Sequence, residues 1–249
     1  MSLSMKHVHT LPAALTAIAL ALVAGSADAQ IVNGNFGNGL AGWTVGGDGA
    51  AVGGNHLSLT NAYPGGGDDA DGIARNLSGV EPLVAGQPGG LEDSAGLPHG
   101  ALDPDTAAGI TATEGSVATQ TFLAAAGSHL TFQWDLSTMD TSGDPTLADI
   151  AFVVIDGQLT TLASTLAATT PIVGGSYAAN TGWASWSTTF ANGGSHTISF
   201  GVADIGDYFV SSALDVTSVN VSAVPETSTL ALMGAGLALL GLQRRRRAD

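Results

Sequence analysis

Short runs in which apolar and polar residues alternate recur along the chain, separated by clusters of Gly, Asp and Asn. Alternation with a period of two is typical of a β-strand that buries one face. In residues 129–136, for example, Trp134 falls on the apolar face and Asp135 on the polar face. The residues from Asp149 to Ile155 are more uniformly apolar, which favours a central strand. We predict eight strands from such runs, at residues 56–60, 116–123, 129–136, 149–155, 158–163, 183–190, 196–202 and 213–221.

The connections between these runs indicate antiparallel sheets. Asp156-Gly157 is a typical two-residue hairpin turn, and Asn192-Gly193-Gly194 is a second turn signal. No segment between Gln30 and Ala223 has an apolar period of 3.6 residues, so crossover helices are not expected. Two Gly- and Asp-rich linkers, at residues 46–76 and 78–105, are predicted to be surface loops that bind something or are disordered. The sequence therefore predicts an all-β fold with antiparallel sheets packed as a sandwich.

Both ends of the chain carry targeting patterns and are set apart from this domain. At the N-terminus, Lys6 precedes an apolar stretch at residues 11–23, and Ala27-Asp28-Ala29 forms an A-x-A pattern. This arrangement predicts a secretory signal peptide, helical over its apolar stretch, at residues 1–29, with cleavage after Ala29. The domain then spans residues 30–223, which is long enough for one hydrophobic core.

The C-terminal segment, residues 224–249, combines a short polar motif, an apolar run and a basic end. The motif begins with Val224, Pro225, Glu226 and Thr227, and the run extends over residues 230–242. As a helix, this run would span about 20 Å against a hydrocarbon core of about 30 Å. Arg244, Arg245, Arg246 and Arg247 would keep that side in the cytoplasm. We predict a short transmembrane helix; a plain tail anchor and a core helix with a basic C-cap are the alternatives.

This order of motif, apolar helix and arginines resembles the PEP-CTERM sorting signal of Gram-negative exopolysaccharide producers. Thr227 stands where the family usually has a second proline. The resemblance implies that an exosortase, a membrane peptidase, recognises the segment around Pro225 and Glu226. It also implies a route through transient anchoring in the inner membrane to the cell surface or the extracellular space. The expected role is that of a matrix protein associated with exopolysaccharide or biofilm.

Charge and composition limit the classes of molecule that the domain can bind. The chain has a formal net charge of −15 and no cysteine, and Arg75 is the only Lys or Arg between Gln30 and Ala223. All of the 21 Asp and Glu residues except Asp28, Glu226 and Asp249 lie in that same region. Nucleic acids and anionic lipids are therefore poor partners, because phosphate binding needs clustered cations. Cations and neutral sugars remain, and the missing thiols exclude thiol catalysis and Cys-ligated metals.

The start of the domain carries a second resemblance. Ile31-Val32-Asn33-Gly34-Asn35-Phe36, followed by Gly39-Leu40-Ala41-Gly42-Trp43-Thr44, resembles the opening of galactose-binding-like jelly-roll domains, which include carbohydrate-binding modules. The end of the domain, from His196 to Val221, resembles the end of the same domains. The resemblance implies a jelly-roll sandwich with Phe36 and Trp43 as core anchors. Gly37 stands where that family often has a Glu that helps to hold a structural calcium ion.

Acidic residues suggest where calcium would bind, since Ca²⁺ prefers oxygen ligands. In the resembled fold the last strand lies beside the first, so Asp215 would meet Asn33 and Asn35, and Asp204 and Asp207 would lie in the preceding loop. We predict a structural Ca²⁺ site from these five residues. Two further groups, Asp68-Asp69-x-Asp71 and Asp140/Asp144/Asp149, are more typical of solvated loops and turn-forming aspartates.

Aromatic residues suggest a sugar-binding surface, because Trp and Tyr rings stack on pyranose faces. Trp183 and Trp186 are three residues apart on one predicted strand and therefore face opposite ways, and we predict Trp186 and Tyr208 as ligand-binding residues. The chain has no G-x-S-x-G, H-E-x-x-H or P-loop motif, so we expect no catalysis. A calcium-stabilised carbohydrate-binding module and a polysaccharide hydrolase with a convergent acid pair are the alternatives.

Overall fold

The computed structural model describes residues 30–223 without a gap, and beyond them residues 234–238, 240, 244 and 245, which are helical. Among these residues, no helix is both long and apolar enough to span a lipid bilayer. The predicted signal peptide, the motif from Val224 to Thr227, and Arg246 and Arg247 lie outside the described residues. The targeting signals therefore stay predictions.

The domain consists of thirteen strands, one short α-helix (α1) and one turn of 3₁₀ helix at Thr165–Ala167. In chain order the strands are β1 (Thr44–Gly46), β2 (Asp48–Val52), β3 (His56–Thr60), β4 (Leu83–Val84), β5 (Ala112–Ala124), β6 (His129–Thr138), β7 (Ile150–Ile155), β8 (Gln158–Ser164), β9 (Thr170–Pro171), β10 (Ala179–Asn180), β11 (Ala184–Thr189), β12 (Gly194–Ile205) and β13 (Ser212–Ser222); α1 spans Leu91–Ala95. Each of the eight predicted strands is present, with ends shifted by a few residues.

The strands form two antiparallel sheets, which confirms the predicted all-β sandwich. The first sheet has the order β1-β5-β12-β7-β8, with β4 also paired to β5. The second sheet has the order β2-β3-β13-β6-β10-β9, with β11 paired to the other half of β6. Successive strands such as β5, β6 and β7 lie in alternate sheets, so the chain crosses repeatedly between the two layers.

The core lies between the inner faces of the two sheets. On β6, Leu130, Phe132 and Trp134 are buried, as the alternation predicts. Phe132 meets Phe200 of β12 edge to face, with ring centroids 4.8 Å apart, and so joins the two sheets. Edge-to-face aromatic pairs add about 0.5–1.5 kcal/mol to the energy of burial. The apolar residues that recur at every second position in the sequence therefore form the contact between the two sheets.

The N-terminal segment closes one side of this core. Phe36 is fully buried against Trp43, with ring centroids 5.3 Å apart, and Trp43 in turn packs on Phe200 at 5.8 Å. Their predicted role as core anchors is confirmed, although β1 begins just after Trp43. Gly34 lies so close to β13 that a Cβ atom would be 1.9 Å from the carbonyl oxygen of Val219. Only glycine fits this contact.

The linker prediction for residues 46–76 and 78–105 is wrong in part. The first linker contains the end of β1 and all of β2 in addition to the predicted β3, and the second contains β4 and α1. Leu91, Leu97 and Leu102 are buried against Phe152 and Ile205 on the outer face of the first sheet. This second cluster explains why β7 is apolar on both faces. Five-residue helices and strands of small residues are too short to produce a periodic signal.

The outer face of the second sheet has no such apolar cover in the part of the chain that the structure describes. Its outward side chains are mainly polar: Ser58 of β3, Asp215 of β13, and Gln133 and Asp135 of β6. We call this surface, together with His56 at its β3 side and Trp183 at its β11 side, the open face. Ser58 and Asp135 are themselves buried, so the part of this face that a ligand can reach is formed by Asp215, His56, Gln133 and Trp183.

Candidate functional site

Strand register places two carboxylates side by side on the open face. Asp215 lies opposite Asp135 on one neighbouring strand and opposite Ser58 on the other. Residues that are directly opposite in an antiparallel pair have Cβ atoms about 4.5–5.5 Å apart. Leu214 and Val216, which flank Asp215, are fully buried in the core. The same alternation that buries these neighbours forces Asp215 outward, towards Asp135.

Asp135 is held in place by the last residue of the short strand β10 and the residue after it. Its Oδ2 accepts a hydrogen bond from Asn180 Nδ2 at 3.0 Å, and its Oδ1 accepts one from Thr181 Oγ1 at 2.9 Å. Asp135 is only 5% exposed. The Asp135 carboxylate is therefore held in a fixed position at the open face and has little direct contact with solvent. The bond to Asp135 also orients the Asn180 amide, whose Oδ1 is buried and has no hydrogen-bond partner among the described residues.

Asp215 is the more accessible of the two carboxylates. Its side chain is 24% exposed, and His56 Nε2 lies 3.8 Å from its Oδ1. Burial raises the pKa of Asp215 and the Asp135 carboxylate raises it further, while the Ser58 hydroxyl and His56 oppose the rise. A protonated His56 would be the only cationic neighbour, because Arg75 is the one Lys or Arg between residues 30 and 223 and binds other carboxylates.

Trp183 covers these acids from the edge of the sheet. It lies between β10 and β11, which both pair with β6, yet its ring is 6.3 Å from the ring of His56 on β3. Strands β6 and β13 lie between these two attachment points, and adjacent strands are about 4.8 Å apart. The indole therefore extends across the sheet above Asp135 and Asp215. Its residue is 52% exposed, so it presents an aromatic surface to solvent beside the acids.

Tyr177 and Arg75 pack together at another border of the open face and form a wall there. The guanidinium carbon of Arg75 lies 5.6 Å from the centroid of the Tyr177 ring, and Arg75 Nε donates a hydrogen bond to the carbonyl of Ser176. Burial raises the pKa of Tyr177, and Asp215 is the next largest cause. Tyr177 is thus close enough for the charge of the Asp215 carboxylate to raise its pKa. Its neutral phenol is the form that a nearby carboxylate favours.

A cavity of about 380 Å³ continues the open face along β6 and β11. The polar residues that line it are Thr131, Gln133, Ser185, Ser187 and Ser218, with Phe132 and Trp186 beside them. Trp186, a predicted ligand-binding residue, is partly buried and stacks on Phe132 with ring centroids 5.1 Å apart. Trp183 is the outward member of the Trp183/Trp186 pair. The sequence predicted opposite faces for the two but did not indicate which one faces solvent.

Tyr208, the second predicted ligand-binding residue, is not brought near Trp186. It lies in the loop between β12 and β13, and β13 begins with Ser212 opposite Thr138 at the far end of β6. Trp186 pairs with Phe132, six residues earlier on the same strand. Six residues of strand correspond to about 20 Å. The two aromatic side chains therefore belong to different surfaces, and the role of each stays a prediction.

The residues predicted to bind calcium are also separated. Asn33 bonds within its own turn, to the carbonyls of Gly39 and Ala41, and Asn35 Oδ1 accepts the N–H of Gly37. The last strand touches this turn through Val219, whose N–H donates to the carbonyl of Gly34. Val219 is about 13 Å along β13 from Asp215. The expectation that Asp215 meets Asn33 and Asn35 is therefore wrong, because the turn touches β13 four residues beyond Asp215.

Asp204 and Asp207 occupy a third place, at the end of β12. Asp204 is 2% exposed beside Asp149, and its Oδ1 has no hydrogen-bond partner among the described residues. Burial, followed by the charge of Asp149, raises the pKa of Asp204. Asp207 accepts the N–H of Phe209. Within the described residues, no three or more His, Asp or Glu side chains are grouped as metal ligands. Calcium binding stays a prediction without a located site.

The other two acidic groups match their predicted roles only in part. Asp144 accepts the N–H and hydroxyl of Thr146 within its own turn, and the Asp71 side chain, which binds Arg75, is 35% exposed. Asp69 is buried against Arg75 rather than solvated, and Asp149 is buried beside Asn61 and Ser212 rather than in a turn. The sequence did not predict the site built by His56, Asp135 and Trp183. The sequence contains one signal of this site, because Asp135 is a charged residue on the otherwise neutral polar face of its strand.

No family model and no curated protein matches the chain. Among solved structures, one described as "CBM4 structure and function" is 13% identical, with a TM-score of 0.33, and the likeness covers 78% of this chain and 99% of that one. Another is the enzymatically active domain of tailspike protein 4 from bacteriophage CBA120, which is 13% identical with a TM-score of 0.30. That likeness covers 79% of this chain but only 22% of the tailspike chain.

Proposed function

We propose that the protein is an exported, non-catalytic glycan-binding protein of the cell envelope or extracellular matrix, built as a β-sandwich of the jelly-roll type. The glycan would lie on the open face, and exopolysaccharide is the expected partner. Exosortase is the proposed processing partner. The function combines a surface described by the structure with targeting signals read from the sequence.

Trp183 is the observation that supports glycan binding most strongly. A half-exposed indole on an ordered sheet is costly to leave in water, and an aromatic ring with a polar surround is typical of sugar recognition. Trp183 lies between two strand pairings, and its half-exposed ring extends over polar side chains of the sheet. A pyranose ring could stack on the indole while its hydroxyl groups reach the side chains beneath.

The cavity along β6 and β11 supports a ligand of more than one sugar. Its hydroxyl and amide groups, from residues such as Thr131, Gln133 and Ser185, are donors and acceptors suited to neutral hydroxyls. It adjoins the row of Asp135 and Asp215, because Gln133 is two residues from Asp135 on the same strand. An oligosaccharide could therefore run from Trp183 into the cavity.

The acid pair does not have the features of a hydrolytic pair. Glycoside hydrolysis uses two carboxyl groups that both reach the scissile bond. Asp135 is almost fully buried, and both of its oxygens already accept hydrogen bonds. One carboxylate is thus committed to structure, which favours binding over hydrolysis. Recovery of an added oligosaccharide unchanged in mass after long incubation is the expected result.

Glycan binding is tested by comparing two exposed aromatic residues. Trp183 is 52% exposed and Tyr208 is 53% exposed, but only Trp183 lies on the open face. Loss of an aromatic stack costs about 1.4 kcal/mol or more, which is about a tenfold loss of affinity. We expect Trp183→Ala to weaken binding to the best ligand of a glycan array by about tenfold, and Tyr208→Ala to leave it unchanged. Equal losses in both variants, or a loss in Tyr208→Ala alone, would place the site elsewhere.

Export and sorting are tested separately by mass spectrometry of the protein from a host that has the sorting peptidase. The expected mature form begins at Gln30 and ends near Pro225-Glu226. Recovery of a form that retains Arg244 to Arg247 would mean a simple tail anchor. That result would refute the matrix role. Glycan binding on the open face would still be tested independently by the glycan array.

A further inference from the structure

We propose that the open face selects glycans that carry free, protonated amino groups. The inference rests on the proposed glycan-binding function and adds the chemical class of the ligand. It is carried by the position of Asp215 beside Asp135 beneath the exposed ring of Trp183. A protonated amine on a sugar is the group that satisfies both the charge and the aromatic surface.

The fold leaves the negative charge of this face without a strong counter-charge. Like charges directly opposite one another on a sheet are destabilising. Arg75, the sole Lys or Arg of residues 30–223, is held by Asp69 and Asp71. His56 lies 3.8 Å from Asp215, beyond hydrogen-bonding distance. An ammonium group from a ligand would supply the missing cation.

Asp215 has room to accept such a group, whereas Asp135 does not. A carboxylate offers about four acceptor positions. Asp135 uses one on each oxygen for Asn180 and Thr181 and is almost fully buried. Asp215 is paired with Ser58 and is 24% exposed on its side chain. Asp215 is therefore the proposed direct partner of the amine, and Asp135 acts on the ligand through its charge.

The Trp183 ring fits the same ligand. An indole attracts cations through its ring face as well as stacking on sugars. An amino sugar presents both an apolar ring face and a cation. A neutral sugar would use only the first of these properties.

The net charge of the protein also favours glycans that carry amino groups. With a formal charge of −15, the protein attracts polycations and repels glycans rich in uronic acid or sulfate. Exclusion of anionic polymers is thus part of the proposed selectivity. This long-range effect is independent of any one residue, so a test of the site must separate it from the local contact.

The test compares β-1,4-linked glucosamine oligosaccharides with their N-acetylated counterparts of the same length by calorimetry at physiological salt. Acetylation removes the charge and leaves the ring. Because hydrogen bonds to charged groups are stronger than neutral ones, we expect the free-amine form to bind about tenfold more tightly. Asp215→Asn should abolish that preference, so that the two forms bind with equal affinity.

Asp105→Asn is the matched control, since it removes one negative charge from the segment on the opposite side of the sandwich. It also keeps the side-chain oxygen that caps the turn at Ala107. Wild-type preference should survive in this variant. Equal loss of preference in Asp105→Asn and Asp215→Asn would show that net charge alone attracts the amine, which would overturn the local site.

The remaining outcomes separate this inference from the proposed function. Equal, Trp183-dependent binding of both oligosaccharides would overturn the selection of amines and leave glycan binding intact. Absence of binding to every glycan would overturn both. The wild-type comparison needs no variant, so the inference remains testable if Asp215→Asn does not fold. We nevertheless expect that variant to melt no lower than wild type, since the raised pKa of Asp215 means that its charged form is disfavoured in the folded state.

Discussion

Replacement of Arg75 by Met should destabilise the domain strongly, because the side chain is a buried cation. The Arg75 and Asp69 side chains are each 2% exposed, and Arg75 Nη1 lies 2.7 Å from Asp69 Oδ2. Arg75 also forms a forked pair with Asp71, at 3.0 and 2.7 Å. Met has a similar length but no charge. The variant would leave the Asp69 carboxylate buried without its cation.

The expected loss is about 3 kcal/mol at neutral pH. Removal of one partner of a buried ion pair costs about 3–5 kcal/mol. Asp69 keeps two other donors, the N–H of Ser211 at 2.9 Å and its hydroxyl at 2.7 Å, so the lower end applies. For a domain of this size, each kcal/mol lowers the melting temperature by about 2–4 °C. The variant should therefore melt about 6–12 °C below wild type.

The assay is urea unfolding at pH 7, repeated at decreasing pH. The Arg75 hydrogen bond lowers the pKa of Asp71 to about 2. A lowered pKa in the folded state stabilises the protein above the unfolded value of about 3.9, and this contribution is lost as the pH falls through 2. The gap between wild type and Arg75→Met should thus be widest at neutral pH and should shrink as the carboxylates become protonated.

Asp71→Asn is the control for burial. Its side chain is 35% exposed, and exposed ion pairs contribute about 0–1 kcal/mol. A loss below about 1 kcal/mol in Arg75→Met, or an equal loss in Asp71→Asn, would refute the assignment of Arg75 as a buried counter-charge. Because Arg75 also packs on Tyr177, the stable Asp71→Asn variant should keep the wall of the open face.

Two further predictions concern the core and its edge. The raised pKa values of Asp204 and its neighbour Asp149 mean that both bind protons more tightly in the folded state, so their contribution to stability is complete below about pH 4 and is lost as the pH rises through about 7 for Asp149. Asp204→Asn should therefore be more stable than wild type in urea at pH 8, and this advantage should vanish near pH 4; an advantage that does not change with pH would contradict it. Gly201→Ala should cost about 1–3 kcal/mol, because its Cβ would lie 2.2 Å from Cζ of the fully buried Phe152. Gly37→Ala, whose Cβ would have no contact shorter than 3.5 Å, should unfold close to wild type, and equal losses would show that the Phe152 ring can move aside.

Local pattern was enough to predict most of the sandwich. The first half of β6 and the end of β13 bury every second residue, and that period is visible in the sequence itself. The hairpin at Asp156-Gly157 was also predictable, because both residues have positive φ, at 51° and 78°. The elements that were missed are β2, which consists of small residues, α1, which is a single turn, and the two- or three-residue strands β1, β4, β9 and β10. Their order depends on the surfaces that they cover rather than on their own periodicity.

The site was harder to predict than the fold because it depends on strand order. Alternation places Asp135 and Asp215 on outward faces, but only the insertion of β13 between β3 and β6 makes them neighbours. The position of Asp215 along β13 also depends on the tertiary fold, because the turn that holds Asn33 meets this strand at Val219 and not at Asp215. Trp183 and Trp186 show a similar limit, since a period of two assigns opposite faces without indicating which face is the core.

The acids of this domain are stabilised in ways that depend on where they lie. Asp48, fully buried, accepts backbone N–H groups from Leu77 and Ser78, whereas Asp69 receives the one arginine. Burial, followed by the charge of Asp149, raises the pKa of Asp204, which favours its neutral form. Asp215 is different, because it lies on an accessible face where a neutral residue would remove its repulsion from Asp135 without exposing the core. A charge that lowers stability where the fold does not require it is typical of functional sites. Asp48 and Asp69 are thus stabilised by local partners, whereas the charge of Asp215 is the one that the proposed cationic ligand would stabilise.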